Sequence, residues 1–178
     1  MSRITVLVGS TRKNGNTALL AKAFCKGAAA KHTVTVLSVA DLHIIPCTGC
    51  NACYHSAGQR CCIQDDMTDV YAQLALSDVI ILASPVYFYG LSARLKALID
   101  RLHAPIRNTF PTKKLGLLLV GASDLPDLFD PILLQYRMTL RYFNLTSIGT
   151  VLVPGVTKPG DVLRTDALEQ AYALGASI

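Results

Sequence analysis

Nine residues near the amino terminus, Gly9-Ser10-Thr11-Arg12-Lys13-Asn14-Gly15-Asn16-Thr17, gather hydroxyls, amides and two cations between two apolar stretches. A turn of this composition presents several N–H groups and hydroxyls in a small concavity, and a helix that starts behind it adds the positive end of its dipole. The chemistry such a site offers is phosphate binding. Arg12 and Lys13 supply fixed positive charge, and the glycines allow close approach of a ligand. The competing reading is a polar loop whose Asn16 or Thr17 does no more than cap a helix.

What the loop lacks narrows the phosphate. It has neither the Gly-Lys-Ser/Thr ending of a nucleotide triphosphatase loop nor the Gly-x-Gly-x-x-Gly of a dinucleotide fold. A cradle of hydroxyls and amides without those features suits a terminal monophosphate, such as that of flavin mononucleotide (FMN). Ser10, Arg12, Asn14, Asn16 and Thr17 are the candidate phosphate ligands.

A second stretch, Ser84-Pro85-Val86-Tyr87-Phe88-Tyr89-Gly90, has what a planar ring needs. Main-chain amides across Pro85, Val86, Tyr87, Phe88 and Tyr89 suit the polar edge of an isoalloxazine, aromatic faces suit its apolar part, and Gly90 permits close approach. The aromatics have a structural alternative as core or interface residues. Ala122-Ser123 is expected to close over the other side of the ring. Five of the six cysteines, Cys47, Cys50, Cys53, Cys61 and Cys62, crowd into one segment and read as thiols, metal ligands or redox groups.

These stretches need elements to carry them. Strands are expected over residues 4–8, 33–37, 78–83, 115–120 and 147–153, the third and fourth apolar throughout as in a buried parallel sheet. Helices are expected from residue 18, over 67–76 behind Asp65 or Asp66 as cap, from Ser92 to about 102, and over 129–143 and 164–174. Five strands alternating with helices make a doubly wound α/β sheet, flavodoxin-like, in which ligands bind at the carboxyl ends of the strands. The three polar loops follow strands one, three and four, so they would converge there.

Composition bounds the rest. A length of 178 residues fits one domain, 1–178, with a cysteine-rich loop at about 44–66. With 51% hydrophobic and 16% charged residues, the chain is neither disordered nor, lacking an apolar run of about 20 residues, a membrane span. The start, Met1-Ser2-Arg3, leads straight into a strand, and the expected address is the cytoplasm. A net charge of +5 without dense Lys/Arg runs gives no nucleic-acid footprint but fits anionic small ligands. His32, His43 and His103 have no partners at a catalytic spacing, and no catalytic side chain is assigned.

Gly9-Ser10 through Thr17, Ser84-Pro85-Val86-Tyr87 with Gly90, and Leu95-Lys96-Ala97-Leu98-Ile99-Asp100-Arg101 together resemble the flavodoxin-like NAD(P)H-dependent FMN reductase family. The resemblance implies a 2-1-3-4-5 sheet, bound FMN, hydride transfer from NAD(P)H to a small-molecule acceptor, and a homodimer or homotetramer. Cys47-Thr48-Gly49-Cys50-Asn51-Ala52-Cys53, followed by Cys61-Cys62, resembles the iron–sulfur flavoprotein branch of that family. That likeness implies a [4Fe–4S] cluster on Cys47, Cys50, Cys53 and Cys61, with Cys62 as the alternative fourth ligand, and ferredoxin as the electron source. Zinc with help from His55, a redox-active Cys-x-x-Cys, and plain thiols remain alternatives for this loop, and Cys25 is expected in the core.

Overall fold

The computed structural model describes all of Met1–Ile178. Five parallel strands form the sheet: β1 (Arg3–Val8), β2 (Thr33–Ser38), β3 (Val79–Tyr87), β5 (Lys114–Val120) and β6 (Thr146–Val153), in the order β2-β1-β3-β5-β6. This is the expected 2-1-3-4-5 order with one addition. A two-residue strand β4 (Gly90–Leu91) folds back antiparallel on the end of β3.

That addition extends the third strand. Residues 84–87 were expected as loop, but Val86 pairs with Leu91 and Tyr87 with Gly90, so the backbone stays extended past Pro85. Two other boundaries differ. Helix α2 (Met67–Leu74) stops two residues early, and the expected helix over 164–174 is a 3-10 turn at Asp161–Arg164 followed by α5 (Ala167–Ala176). The remaining helices are α1 (Asn16–Ala28), α3 (Ala93–Arg101) and α4 (Asp130–Phe143).

Apolar clusters cover both faces of the sheet. Leu20, Ala21, Phe24 and Ala28 of α1, with Ala167 and Ala171 of α5, pack on Ile4, Val6, Val8, Val79, Ile81, Leu118 and Val151. Met67, Val70 and Leu74 of α2, Leu95 and Leu98 of α3, and Ile132 and Tyr136 of α4 cover Leu7, Ile80, Leu115, Leu117 and Leu119. Two-sided burial is why β3 and β5 read as unbroken apolar runs. Each such Leu, Ile or Val stabilises the fold by roughly 1.5–3 kcal/mol relative to exposure. Apart from the buried Arg101 and Asp65, the charges are left to the rims, where the loops of interest lie.

Candidate functional site

The Gly9–Gly15 loop is built on the end of β1 and held to β3 by a hydrogen bond from Gly9 N–H to the Ala83 carbonyl, 2.7 Å. Inside it, Ser10 is buried and its Oγ accepts from Arg12 N–H at 3.2 Å, while Gly15 N–H donates to the Arg12 carbonyl at 3.0 Å. Gly15 is the N-cap of α1, so no side chain caps the helix, and its first turn carries no acid. Uncapped N–H groups at the positive end of a helix dipole are an anion site, and a carboxylate there would have repelled the anion. A Cβ at Gly15 would come within 3.0 Å of Arg12 Cβ and 3.7 Å of Ser10 Oγ, filling the cradle. The donors present fit a terminal phosphate.

The individual candidates take different places around it. Thr17 is buried in the first turn of α1, whereas Arg12 and Asn14 are exposed at the rim. Lys13 reaches Asp41 at 3.1 Å in an exposed pair worth at most about 1 kcal/mol. Asn16 does not turn its side chain to the cradle. Its Oδ1 accepts from Gly160 N–H (2.9 Å) and Val162 N–H (3.3 Å), and its Nδ2 donates to the Lys158 carbonyl (3.0 Å). Its backbone N–H is what that position can offer a phosphate, and its side chain ties the α1 start to the segment that follows β6.

Ser92, which carries no expected ligand role, locks the first two loops together. Its Oγ donates to the Gly9 carbonyl (2.6 Å) and accepts from Leu95 N–H (3.4 Å) as the N-cap of α3, and its N–H donates to Ser84 Oγ (3.0 Å). A Cβ on Gly9 would meet Leu95 and Ser92 Oγ at 2.9 Å, so this junction admits only glycine without displacement. Between β3 and β4, Phe88 (φ 47°) and Tyr89 (φ 59°) form a two-residue turn with both central residues at positive φ, as a type I′ hairpin requires. Tyr87, Phe88 and Tyr89 are exposed at 55%, 102% and 50%, so none of the three rings is core. Pro85 and Val86 are half-buried beneath them. After β5, Ser123 Oγ accepts from Leu125 N–H (3.2 Å) beside exposed Ala122, and Gly121 bridges to β6 through Val153. The loops after β1, β3 and β5 therefore lie side by side at the carboxyl ends of adjacent strands.

In the cysteine loop, Cys53 is buried, Cys47 and Cys61 are half-buried, and Cys50 and Cys62 are exposed. Left-handed backbone at Gly49 (φ 68°) and Asn51 (φ 58°) curls the Cys47–Cys53 stretch. Burial pushes the Cys53 thiol up, and charge on Cys61, Cys47 or Cys50 pushes it further. The Cys50 thiol is held down by the Ala52 N–H and the Thr48 hydroxyl, and a hydrogen bond to Cys50 raises Cys62. No three His, Cys, Asp or Glu side chains are closed to metal-binding distance. The donor types in this segment, five thiols, are those an iron–sulfur cluster takes.

One pair at this loop escaped the sequence reading. Arg101 and Asp65 are 1% and 0% exposed and form a two-armed ion pair, Nη1 to Oδ2 at 2.7 Å and Nη2 to Oδ1 at 3.2 Å. Asp65 also accepts from Ile45 N–H (2.8 Å) and Met67 N–H (3.1 Å), while Arg101 donates to the carbonyls of Ile45 (2.8 Å) and Ile63 (3.4 Å). Burial alone would lift the Asp65 carboxyl, but these donors outweigh it and hold it below the usual carboxylate range. The available signal was spacing, since Arg101 falls three residues beyond Leu98 and six beyond Leu95 on the apolar face of α3.

Comparison with known proteins decides the family. The model of the NADPH-dependent FMN reductases matches residues 2–153. The chain belongs to that family. That family is described as NADPH-dependent and FMN-reducing. Over 124 residues the chain is 39% identical to an iron-sulfur flavoprotein of Methanocaldococcus jannaschii, covering 68% of this chain and 63% of that protein, under two thirds of its length. It is 28% identical to a putative NAD(P)H-dependent FMN-containing oxidoreductase of Bacillus subtilis, covering 91% of this chain and 90% of that one. The solved NAD(P)H:quinone oxidoreductase of Methanothermobacter marburgensis shares the fold at a TM-score of 0.78 over 99% of this chain and 96% of its own, at 14% identity. No helix is long and apolar enough to cross a membrane.

Proposed function

We propose that this FMN reductase family member holds FMN across the three loops, takes electrons from NAD(P)H, and passes them to a flavin, quinone or other small acceptor. The observation that carries the reading is the uncapped, acid-free start of α1 behind Gly15, with buried Ser10 and Thr17 beside it. Ser10, Thr17, the backbone N–H groups of Asn14 and Asn16, and the Arg12 guanidinium would hold the phosphate. Pro85 to Gly90 would border the ring on one side and Ala122-Ser123 on the other. FMN, once bound, supplies the hydride-accepting chemistry, and the protein needs only to position it. The exposed Tyr87, Phe88 and Tyr89 would serve the face of a nicotinamide, an acceptor or a second subunit, in a homodimer or homotetramer working in the cytoplasm.

The test compares two flavins. Replacing Arg12 and Thr17 together by Ala should weaken FMN binding by about tenfold or more, since hydrogen bonds to a charged group contribute about 1.5–3 kcal/mol, while riboflavin, which has no phosphate, should bind as before. Equal loss for both flavins, or loss for neither, would remove the phosphate assignment.

The cysteine segment favours a second reading, in which Cys47, Cys50, Cys53 and Cys61 hold a [4Fe–4S] cluster and the chain draws electrons from ferredoxin. Its support is the crowding of Cys47, Cys50, Cys53, Cys61 and Cys62 into one segment, together with a curated relative described as an iron-sulfur flavoprotein. Purification without oxygen followed by iron and acid-labile sulfide assay separates the two. About four irons per chain establish the cluster-bearing form. Flavin without iron leaves the nicotinamide-linked reductase.

A further inference from the structure

The outward faces of most helices carry charge, as a surface that meets water should: Lys22 and Lys26 on α1, Asp69 on α2, Lys96 and Asp100 on α3, Glu169 on α5. Helix α4 departs from this. Its inner face buries Ile132 and Tyr136, while the opposite face presents Leu134, Met138 and Tyr142, spaced four residues apart and 51%, 54% and 72% exposed. Large apolar side chains in line along a helix form one continuous stripe, and such a stripe marks a contact surface where single exposed residues would not.

Tyr142 is held ready for such a contact. Arg107 donates to its hydroxyl (3.4 Å) and lies over the Phe143 ring at 5.4 Å, and that ring meets the Tyr142 ring edge-on at 4.8 Å. A side chain already fixed loses little further freedom when it is covered. Strand β4 packs against α4, which sets the exposed Tyr87–Tyr89 turn beside the same helix.

The charges next to the stripe indicate what covers it. Arg137 and Arg141 follow Asp130 by 7 and 11 residues, whole numbers of helical turns to within about 20°, so the three form one row along the edge of the stripe. The acid stands at the start of the helix and the bases toward its end, all three exposed and none in an ion pair within the chain. A second copy of the helix laid antiparallel complements this row, because acid meets base at both ends and the helix dipoles oppose. A parallel copy would bring like charges together.

We infer that α4 is a two-fold interface between copies of this chain, its helices antiparallel and the axis passing at the level of Tyr136. Leu134 then meets the partner's Met138, and Asp130 meets the partner's Arg141. This interface rests on the dimer of the proposed function and needs no flavin.

Sedimentation velocity on the full chain at about 1–100 μM, with and without FMN, should show a dimer. Met138→Glu should raise its dissociation constant about tenfold or more, as removal of a central apolar anchor does. Because Met138 is exposed within one chain, the circular dichroism spectrum should stay as it was. Arg141→Asp should weaken the dimer as well, and adding Asp130→Arg to it should restore the affinity, a recovery that only antiparallel pairing of these two positions produces. A monomer at every concentration, a Met138→Glu dimer as tight as the unaltered one, or a charge exchange without recovery overturns the inference. A monomer that sediments with phosphatidylglycerol vesicles also overturns it, and gives this face to a membrane. FMN titration of the same samples reports on the cradle by itself. A monomer that binds FMN ends the interface alone, and a dimer that takes up none ends the phosphate assignment alone.

Discussion

Cys25 and Cys50 place the same side chain in opposite surroundings. Cys25 packs against the α1 side of the core, and burial pushes its thiol up to about 11. Cys50 is exposed, and the Ala52 N–H and Thr48 hydroxyl stabilise its thiolate. Because the thiolate is the attacking species, iodoacetamide at pH 8 on the metal-free protein should label Cys50 well before Cys25, as read by peptide mass mapping. Labelling of Cys25 first would mean that α1 opens readily. Cys25, expected in the core, is half-buried at its edge; the helical pattern showed which face of α1 is covered, because that is a local property. It did not show the roles of Asn16 and Asp65. Asn16 is bonded to residues more than 140 positions away, and Asp65 to Arg101, 36 positions away. Local composition marked Asp65 and Asp66 equally as helix caps, and only the arrival of Arg101 and Ile45 distinguishes them.

Among the elements, the five long strands and the helices between them were legible because apolar runs bounded by Gly, Pro and Ser carry their own signal. Strand β4 was not, since two residues have no periodicity and their pairing depends on the turn. That turn is also where the chain departs from its best local choice. Phe88 and Tyr89 hold left-handed backbone where Asn-Gly would be preferred, each at a cost of about 1 kcal/mol. Replacing them by Asn and Gly should raise stability by about 1–2 kcal/mol in urea unfolding. A loss of stability would show that the exposed rings are held by contacts of their own. Strain retained on exposed aromatics is the pattern expected of a surface kept for something other than the fold.

At the scale of the whole molecule, the C-terminal helix is fixed to the helix that carries the phosphate cradle. Helices α1 and α5 approach backbone to backbone, so that a Cβ at Gly27 would lie 2.1 Å from the Tyr172 carbonyl oxygen and one at Gly175 would lie 2.2 Å from that of Phe24. Gly27→Ala should therefore cost about 3 kcal/mol in urea unfolding, and an unchanged midpoint would mean that the two helices separate freely. Helix α3 joins two other parts. Ser92 at its start ties the β1 and β3 loops together, and Arg101 at its end grips the cysteine segment. Nine residues of α-helix span about 13 Å, so this single rod sets both the separation and the rotational phase of the two regions. Inserting one residue anywhere along α3 would turn Arg101 about 100° away from Asp65 while leaving every ligand-bearing loop unaltered in sequence. The length of this helix is thus a constraint on the site as strict as the identity of any side chain within it.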